Sequence, residues 1–263
     1  IYFAALCYLG NDSRLNGGIF LLRISRIYTE SNLEPESELI LQGAAVHYLF
    51  RVLRVAVGQS VILFNGDGFD YIAEIVRSGK KEVPVRVLSR LPARPESPLR
   101  ITLAQALSRG ERMDQTLQKS TELGVVAFQP LITERVEVRI RPEKLAKRME
   151  HWRKVVISAC EQSGRATIPA LDEPVDLIEW LDRSPNKQRL LLEPGAGSSL
   201  ARTRPENRTE LLVGPEGGFS EKEVAMLSQN GVLPVSLGPR ILRTETAGPA
   251  AIAILQALAG DLQ

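Results

Sequence analysis

Three prolines within the eight residues 91–98 divide this chain of 263 residues into two parts with different hydrophobic rhythms. Proline fixes its own φ angle and has no N–H to donate, so a run of this kind favours an extended linker over a helix or an inner strand. The sequence therefore predicts two domains, at residues 23–92 and 99–263, with residues 93–98 as the linker between them.

Short strands bounded by turn residues dominate the first part. Residues 60–64 form an apolar run that ends at Asn65-Gly-Asp-Gly68, a sequence that tolerates positive φ angles and favours a hairpin. Residues 69–76 then alternate apolar and polar side chains, and residues 83–88 predict a third strand with Pro84 at a sheet edge. With a short helix predicted over residues 44–57, the pattern is typical of a small β-barrel or sandwich.

Strand and helix patterns alternate after the linker, which is typical of an α/β domain with a mostly parallel sheet. Strands are predicted over residues 99–106, 125–131, 190–192, 210–213 and 232–237. Helices are predicted over residues 111–124 and 142–164, from Ser220 onward, and over residues 249–258.

Two glycine-bearing loops near the C-terminus predict a ligand pocket. The first, Val213-Gly-Pro-Glu-Gly-Gly218, follows an apolar strand, and Ser220 with Glu223 then matches a helix capping box. The second, Leu237-Gly-Pro-Arg-Ile-Leu-Arg-Thr-Glu-Thr-Ala247, joins the last strand to the last helix. Glycine lets a ligand approach the backbone closely, and ligands of open α/β sheets bind at the carboxyl ends of the strands. Neither loop matches the dinucleotide fingerprint or a Walker loop.

These two loops resemble the cofactor signature of the SPOUT methyltransferases, and in particular of the ribosomal RNA small subunit methyltransferase E family. Three further stretches are similar to motifs of that family and occur in the same order: His47-x3-Arg51-Val-Leu-Arg54, residues 108–124 (SRGERMDQTLQKSTELG) and Ala159-Cys-Glu-Gln-Ser-Gly-Arg165. The resemblance covers the chain from about Arg23 to its C-terminus. One small departure is Gly248-Pro249 at the predicted start of the last helix, where proline is compatible with a helix opening.

The resemblance implies a PUA-like RNA-binding β-barrel followed by an α/β domain whose last segments thread a trefoil knot, a rare topology. It implies a homodimer whose active sites take residues from both subunits. It also implies transfer of a methyl group from S-adenosyl-L-methionine (SAM), without a metal, to N3 of a uridine in 16S ribosomal RNA of the small subunit. The cofactor-contacting positions that it implies are Leu192, Gly214, Leu237, Gly238 and Leu242, with Gly217 and Thr246 close by.

Methyl transfer to N3 of uracil requires loss of the N3 proton or stabilisation of the resulting anion. Arg165 and Arg243 are candidates for stabilising that anion, and Glu245 or Glu161 for accepting the proton. Alternatively, Arg243 and Glu245 only pair with each other and brace the loop.

Basic side chains in both domains are candidates for contacts with RNA phosphates, which position a nucleic acid without reading its sequence. Residues 135–165 carry nine Lys or Arg and four Glu, an excess that fits either phosphate binding or a solvated helix face. The individual candidates are Arg23, Arg26, His47, Arg51 and Arg54 in the barrel and Arg109 and Arg112 after the linker.

The remaining composition excludes several classes of protein. Cys7 and Cys160 give neither a disulfide framework nor a metal-ligand spacing, which favours a reducing, cytoplasmic setting. No apolar run reaches the length of a membrane-spanning helix. Residues 1–22 begin without Met and lack a basic leader, so we interpret them as upstream sequence and not as a signal peptide.

Two other functions fit the same residues. A related SPOUT activity, ribose 2′-O methylation, shares the knot and needs no base anion. A non-catalytic RNA-binding or ribosome-assembly factor would use the barrel alone. Binding of SAM and the identity of the methylated nucleoside distinguish these functions.

Overall fold

The computed structural model describes residues 25–263 except 48, 50–54, 139 and 184–186. Within that part of the chain, two sheets with separate hydrophobic cores are joined by the segment between residues 92 and 100. The segment 1–22 that we interpret as upstream sequence lies outside the described residues. No helix among the described residues is both long and apolar enough to cross a membrane.

The N-terminal sheet has the strand order β1-β3-β4-β5-β2, in which only the β1–β3 pair is parallel. Tyr71, Ala73 and Ile75 of β4 are buried as the alternating pattern predicts, and the strands predicted over residues 60–64 and 69–76 are confirmed. Of the helix predicted over residues 44–57, the structure describes α1 (Ala44–His47). The strands are β1 (Arg26–Tyr28), β2 (Glu38–Gln42), β3 (Ser60–Phe64), β4 (Phe69–Ile75) and β5 (Glu82–Pro92).

Pro84 does not lie in an edge strand, so that prediction is wrong. β5 lies between β4 and β2, and Pro84 pairs with Ile40 of β2. The Pro84 carbonyl accepts the N–H of Val76 at 3.0 Å, just beyond the end of β4. The N–H and C=O of a strand residue point to the same side of the strand. The nitrogen of Pro84 therefore faces the end of β4, and its lack of a proton costs no hydrogen bond to β2.

The C-terminal sheet is parallel throughout the described residues, with the order β12-β10-β11-β6-β7-β8 and with β9 also paired to β7. The predicted α/β architecture is therefore confirmed. The strands are β6 (Arg100–Ala106), β7 (Ala127–Ile132), β8 (Ala170–Leu171), β9 (Val175–Asp176), β10 (Gln188–Leu192), β11 (Arg208–Val213) and β12 (Leu233–Val235).

Helices cover both faces of this sheet, because alternate strand residues point to opposite sides. Leu103 and Leu211 belong to one buried cluster, which includes Trp152, whereas Ala104 and Leu212 belong to another, which includes Trp180. The helices are α2 (Arg112–Glu122), α3 (Pro142–Ser163), α4 (Leu177–Asp182), α5 (Glu221–Gln229) and α6 (Thr244–Ala259), with a 3-10 turn at Leu200–Arg202.

Local signals set most of these helix ends. Pro142 opens α3, and Gly164 ends it with φ 84°, a left-handed conformation that suits glycine. The predicted capping box of α5 is confirmed: the Ser220 hydroxyl accepts the N–H of Glu223, and the Glu223 carboxylate accepts the N–H of Ser220.

The last helix begins earlier than predicted. α6 starts at Thr244, five residues before the predicted start at Pro249, and the N–H groups of Thr246 and Ala247 already bond to the Arg243 carbonyl. Pro249 therefore lies inside the helix and not at its opening. Since proline has no N–H, the carbonyl of Glu245, four residues earlier, loses its helical donor.

Buried polar contacts join the two domains at the C-terminal end of α3. Arg26 pairs with Asp70 at 2.5 Å and donates to the Arg165 carbonyl at 3.0 Å. The Arg165 guanidinium bonds to both carboxylate oxygens of Glu96 and donates to the carbonyls of Thr121 and Val125 at 2.9 and 2.8 Å. The linker, α2 and the start of β7 are therefore held by one arginine.

Replacement of this arginine should lower stability strongly. Arg165→Met leaves two backbone carbonyls and the Glu96 carboxylate without their donor, and we expect a loss of about 2–4 kcal/mol in the free energy of unfolding. Urea denaturation measures it. Arg86→Met is the matched control, because Arg86 pairs with Glu38 where both side chains are more than half exposed, and it should cost at most about 1 kcal/mol. Equal effects of the two changes would contradict the role of Arg165 as a buried brace.

Candidate functional site

The carboxyl ends of three neighbouring parallel strands form one edge of the C-terminal sheet. β10 lies between β12 and β11, so the loops 193–199, 214–220 and 236–243 emerge side by side. A β-bridge between Ser199 and Ser236 links the first of these loops to the third. The two glycine-bearing loops are therefore brought to the same edge as Leu192, as a shared pocket requires.

The loop after β12 offers an open stretch of backbone. No hydrogen bond among the described residues involves residues 237–242. Gly238 has φ 104°, a conformation that L side chains rarely adopt, and no atom lies within 4 Å of the position that a Cβ would take. Backbone N–H and C=O groups of this loop are thus available to a ligand, whose approach to Gly238 is unobstructed.

A buried glutamine fixes the distance between the two glycine-bearing loops. Gln105, at the carboxyl end of β6, is fully buried and donates from Nε2 to the carbonyls of Ala106 and Val213 and to the Thr244 hydroxyl, at 3.1, 3.4 and 3.0 Å. The Thr244 hydroxyl donates in turn to the Gly214 carbonyl at 2.9 Å. The first residue of α6 is therefore tied to the first residue of the loop after β11.

Charged side chains lie around the loops at this edge of the sheet. Arg112, in the first turn of α2, pairs with Glu216 at 2.5 Å and lies 3.8 Å from Glu245. Arg243 lies 4.0 Å from the other carboxylate oxygen of Glu245 and is largely exposed. The Glu245 side chain is only 13 % exposed, and its Oε2 is buried with no hydrogen-bond partner among the described residues. The Glu245 carboxylate is thus flanked by Arg112 and Arg243, and its Oε2 accepts no hydrogen bond from the described residues.

The carboxylates of the site differ in their electrostatic surroundings. Burial alone would raise the pKa of Glu216, but its own N–H, Arg112 and the N–H of Arg109 outweigh burial and lower the pKa. Burial raises the pKa of Glu193, the first residue after β10, and the charge of Arg135 offsets only part of that effect. Of these two carboxyl groups, that of Glu193 is therefore held closer to neutrality.

The structure separates the predicted catalytic residues within one chain. Arg243 and Glu245 lie at the carboxyl edge of the sheet, whereas Arg165 and Glu161 lie at the domain junction, near the start of β7. Glu161 accepts the N–H of Tyr28 at 3.0 Å, and burial raises its pKa despite that bond and the nearby Arg26. Within one chain, Arg243 and Glu245 therefore lie at the loops without Arg165.

The predicted RNA contacts are also distributed unevenly. Arg26 is engaged in the domain junction, whereas His47 is exposed on α1. Arg109 pairs with Glu137, and Arg112 with Glu216, so both lie beside the loop after β11. Arg23, Arg51 and Arg54 lie outside the described residues.

Three residues of this edge were not identified from the sequence. Gln105 and Glu193 are each a polar residue at or just after the end of an apolar strand, and that signal could have identified them. Arg135 donates to the Gly217 carbonyl at 2.9 Å, a contact that no local pattern predicts. Of the other predicted positions, Gly217 lies against Arg135, and Thr246 lies in the first turn of α6. Among the described residues, no cluster of His, Cys, Asp or Glu could hold a metal ion.

The fold and this site define the class of protein. The family profile of the RNA methyltransferase domain matches residues 95–256, and that of the RNA methyltransferase PUA domain matches residues 41–88. The N-terminal sheet is thus a PUA domain, and the parallel sheet with its open loops is an RNA methyltransferase domain.

Similarity to individual proteins gives the particular family. Ribosomal RNA small subunit methyltransferase E of Buchnera aphidicola (from Schizaphis graminum) is 37% identical over 243 residues, which are 91% of this chain and 98% of that protein. The Bacillus subtilis protein of the same name is 31% identical over 229 residues, 83% of this chain and 90% of its own. The chain belongs to the ribosomal RNA small subunit methyltransferase E family.

Solved structures with the same architecture include cofactor complexes. Ribosomal RNA small subunit methyltransferase E of Neisseria gonorrhoeae, bound to S-adenosyl methionine, has 41% identity and a TM-score of 0.85, with 91% of this chain and 100% of that chain covered. The Legionella pneumophila protein Lpg2936, solved with bound SAM, has 44% identity and a TM-score of 0.86, with 92% and 100% covered.

The link through Gln105 predicts a local effect on α6. Gln105→Leu removes the donor shared by Ala106, Val213 and Thr244, so the first turn of α6 should open more often. We expect faster amide exchange at Thr246 and Ala247, measured by hydrogen–deuterium exchange, because opening free energies set that rate. Gln129→Leu is the matched control, since Gln129 is a buried amide of β7 that donates to Pro130 and Glu173, away from the loops. Unchanged exchange in Gln105→Leu would contradict the link.

Proposed function

We propose that this protein is a SAM-dependent methyltransferase that methylates N3 of a specific uridine in 16S ribosomal RNA of the small subunit. The observation that carries the proposal is the set of open loops at the carboxyl ends of β10, β11 and β12, in a chain of this family. SAM supplies an electrophilic methyl group when it is bound.

The residues of this edge fit SAM. The unpaired backbone of residues 237–242 offers donors and acceptors to an adenine, and the open space at Gly238 admits a ring against the chain. Leu192 and Leu237 supply apolar contacts beside it. We therefore assign cofactor contacts to Leu192, Gly214, Gly217, Leu237, Gly238, Leu242 and Thr246.

Glu245 is the residue that we assign to accept the N3 proton. Its buried Oε2 has no hydrogen-bond donor among the described residues, and a uracil anion formed beside this carboxylate would lie near Arg112 and Arg243. Positive charge held where negative charge develops lowers the barrier without reorganisation. The target base must leave its stack to reach this edge, which the exposed loop permits.

Three further properties are part of the proposal. The chain forms a homodimer, which would cover Ile241, an apolar side chain that is 85 % exposed beside the proposed cofactor loop. In such a dimer, Arg165 of one subunit would act at the cofactor loops of the other subunit only if its domain junction faced those loops. The last segments thread a trefoil knot, and the protein works in the cytoplasm, where small ribosomal subunits are assembled.

Nucleoside analysis tests the proposed reaction. Small subunits from a deletion strain would be incubated with the protein and methyl-labelled SAM, and their nucleosides separated by mass spectrometry. Labelled N3-methyluridine is expected. The variant Gly238→Trp should neither bind SAM nor transfer label, because the indole would fill the cofactor space. Label in a 2′-O-methyl nucleoside would replace the proposed reaction by ribose methylation, and absence of SAM binding would favour a non-catalytic assembly factor.

The assignment of the base predicts a selective loss of rate. Glu245→Gln removes the proton acceptor while preserving the shape of the side chain, so we expect single-turnover methyl transfer to fall about 10²- to 10⁴-fold with SAM affinity nearly unchanged. Glu193→Gln is the second arm, because Glu193 also lies at this edge and burial raises the pKa of its carboxyl group. A large loss in Glu193→Gln and a small one in Glu245→Gln would transfer the role of base to Glu193.

A further inference from the structure

The first thirteen residues of α3 carry a row of basic side chains on one face. Lys144, Lys147, Arg148 and Lys154 fall within an arc of about 120° on a helix of 3.6 residues per turn, and Arg141 precedes them at the N-cap. We name Arg141, Lys144, Lys147, Arg148 and Lys154 the basic stripe. Trp152 and Val156 of the same helix are buried, whereas Arg141, Lys144, Lys147 and Lys154 are exposed, so the stripe faces outward.

Much of the positive charge of this stripe is not neutralised. Arg141, Lys144 and Lys147 are exposed, and none of them has an ion pair or side-chain hydrogen bond among the described residues. Arg148 stacks over Trp152, and Lys154 pairs with Glu150. The acidic groups nearby are Glu143 and Glu150 on α3 and Asp114 on α2, which pairs with His151 at 2.7 Å. Positive charge therefore outweighs negative charge along this face.

The stripe begins beside the candidate site. The segment between β7 and α3 is attached to the loop after β11: Arg135 donates to the Gly217 carbonyl, and the Ser220 hydroxyl donates to Glu134 at 2.7 Å. Arg109, which precedes α2, pairs with Glu137 of the same segment. Since α3 follows β7 from the carboxyl edge of the sheet, Arg141 and Lys144 lie at the end of the helix nearest the loops.

We infer that the basic stripe of α3 binds the phosphate backbone of the substrate RNA and guides it to the loops after β10, β11 and β12. The inference rests on the proposed function and adds the surface that holds the RNA outside the reacting nucleotide. Trp152 is buried, and the exposed ring on this arc is that of His151, whose Nε2 is engaged with Asp114. The stripe is therefore suited to backbone contacts, which position RNA, and not to stacking on bases.

Salt-dependent binding tests this surface. Binding of the full chain to an unmodified 16S ribosomal RNA transcript would be measured by filter retention from about 50 to 300 mM KCl, because each phosphate contact adds about 0.7–0.9 to the slope of log K against log salt. Lys144→Gln with Lys147→Gln should reduce that slope by about 1.4–1.8 and weaken binding at about 100 mM salt by roughly tenfold or more. SAM affinity should stay unchanged, which shows that the variant is folded.

Arg204→Gln with Arg208→Gln is the matched control. It removes the same charge from exposed positions around the start of β11, at the opposite edge of the sheet. We expect its slope to change by less than about half a unit. Equal slopes for the stripe variant and the control would overturn the inference. Normal binding of the stripe variant to the transcript, with weakened binding to assembled small subunits, would also overturn it and indicate a ribosomal protein as the contact. A wild-type chain that binds RNA by the stripe but yields no N3-methyluridine would refute only the proposed function.

Discussion

The geometry of the site depends on the hydrogen bonds of Gln105. This amide is completely buried at the end of β6, where a hydrogen bond is electrostatically stronger than in water. Its Nε2 lies within hydrogen-bonding distance of the end of β11 and of the first residue of α6, and Thr244 extends the connection to Gly214. The two glycine-bearing loops, whose linked residues Gly214 and Thr244 lie 30 positions apart in sequence, are thereby held at one distance from each other.

This link explains how a loop without internal hydrogen bonds can have a defined position. Residues 237–242 are fixed at one end by β12, which pairs with β10, and at the other by Thr244. A backbone restrained at both ends but unbonded between them has its donors and acceptors preorganised, so a ligand does not have to break existing bonds to use them. The same contacts explain why α6 contains Pro249. They stabilise the helix that starts at Thr244, so it tolerates the loss of the one backbone hydrogen bond that Pro249 cannot donate.

Local sequence signals predicted most elements but not the contacts between them. The strand at residues 60–64, the capping box of Ser220 and Glu223, and the end of α3 at Gly164 each follow from adjacent residues. The start of α6 was misplaced because proline usually opens a helix, and only the bonds from Gln105 and Thr244 show that the first turn forms earlier. Pro84 was predicted in an edge strand because the sequence does not show that the neighbouring strand β4 ends at Ile75, where a proline beside it costs no hydrogen bond. The position of the two glycine-bearing loops at one edge was predictable, since parallel strands end at one edge and both loops follow such strands.

The arginines show most clearly why residue type alone does not assign function. Arg26 and Arg165 are largely buried at the domain junction, and their donors are directed to Asp70, Glu96 and backbone carbonyls. An arginine whose donors are already used would have to break those bonds to bind a phosphate, and would leave buried acceptors unpaired when it did. Arg141, Lys144 and Lys147 incur no such cost, because they are exposed and unpaired among the described residues. Electrostatic attraction for RNA should therefore come mainly from cations of this second kind, while those of the first kind join the two domains.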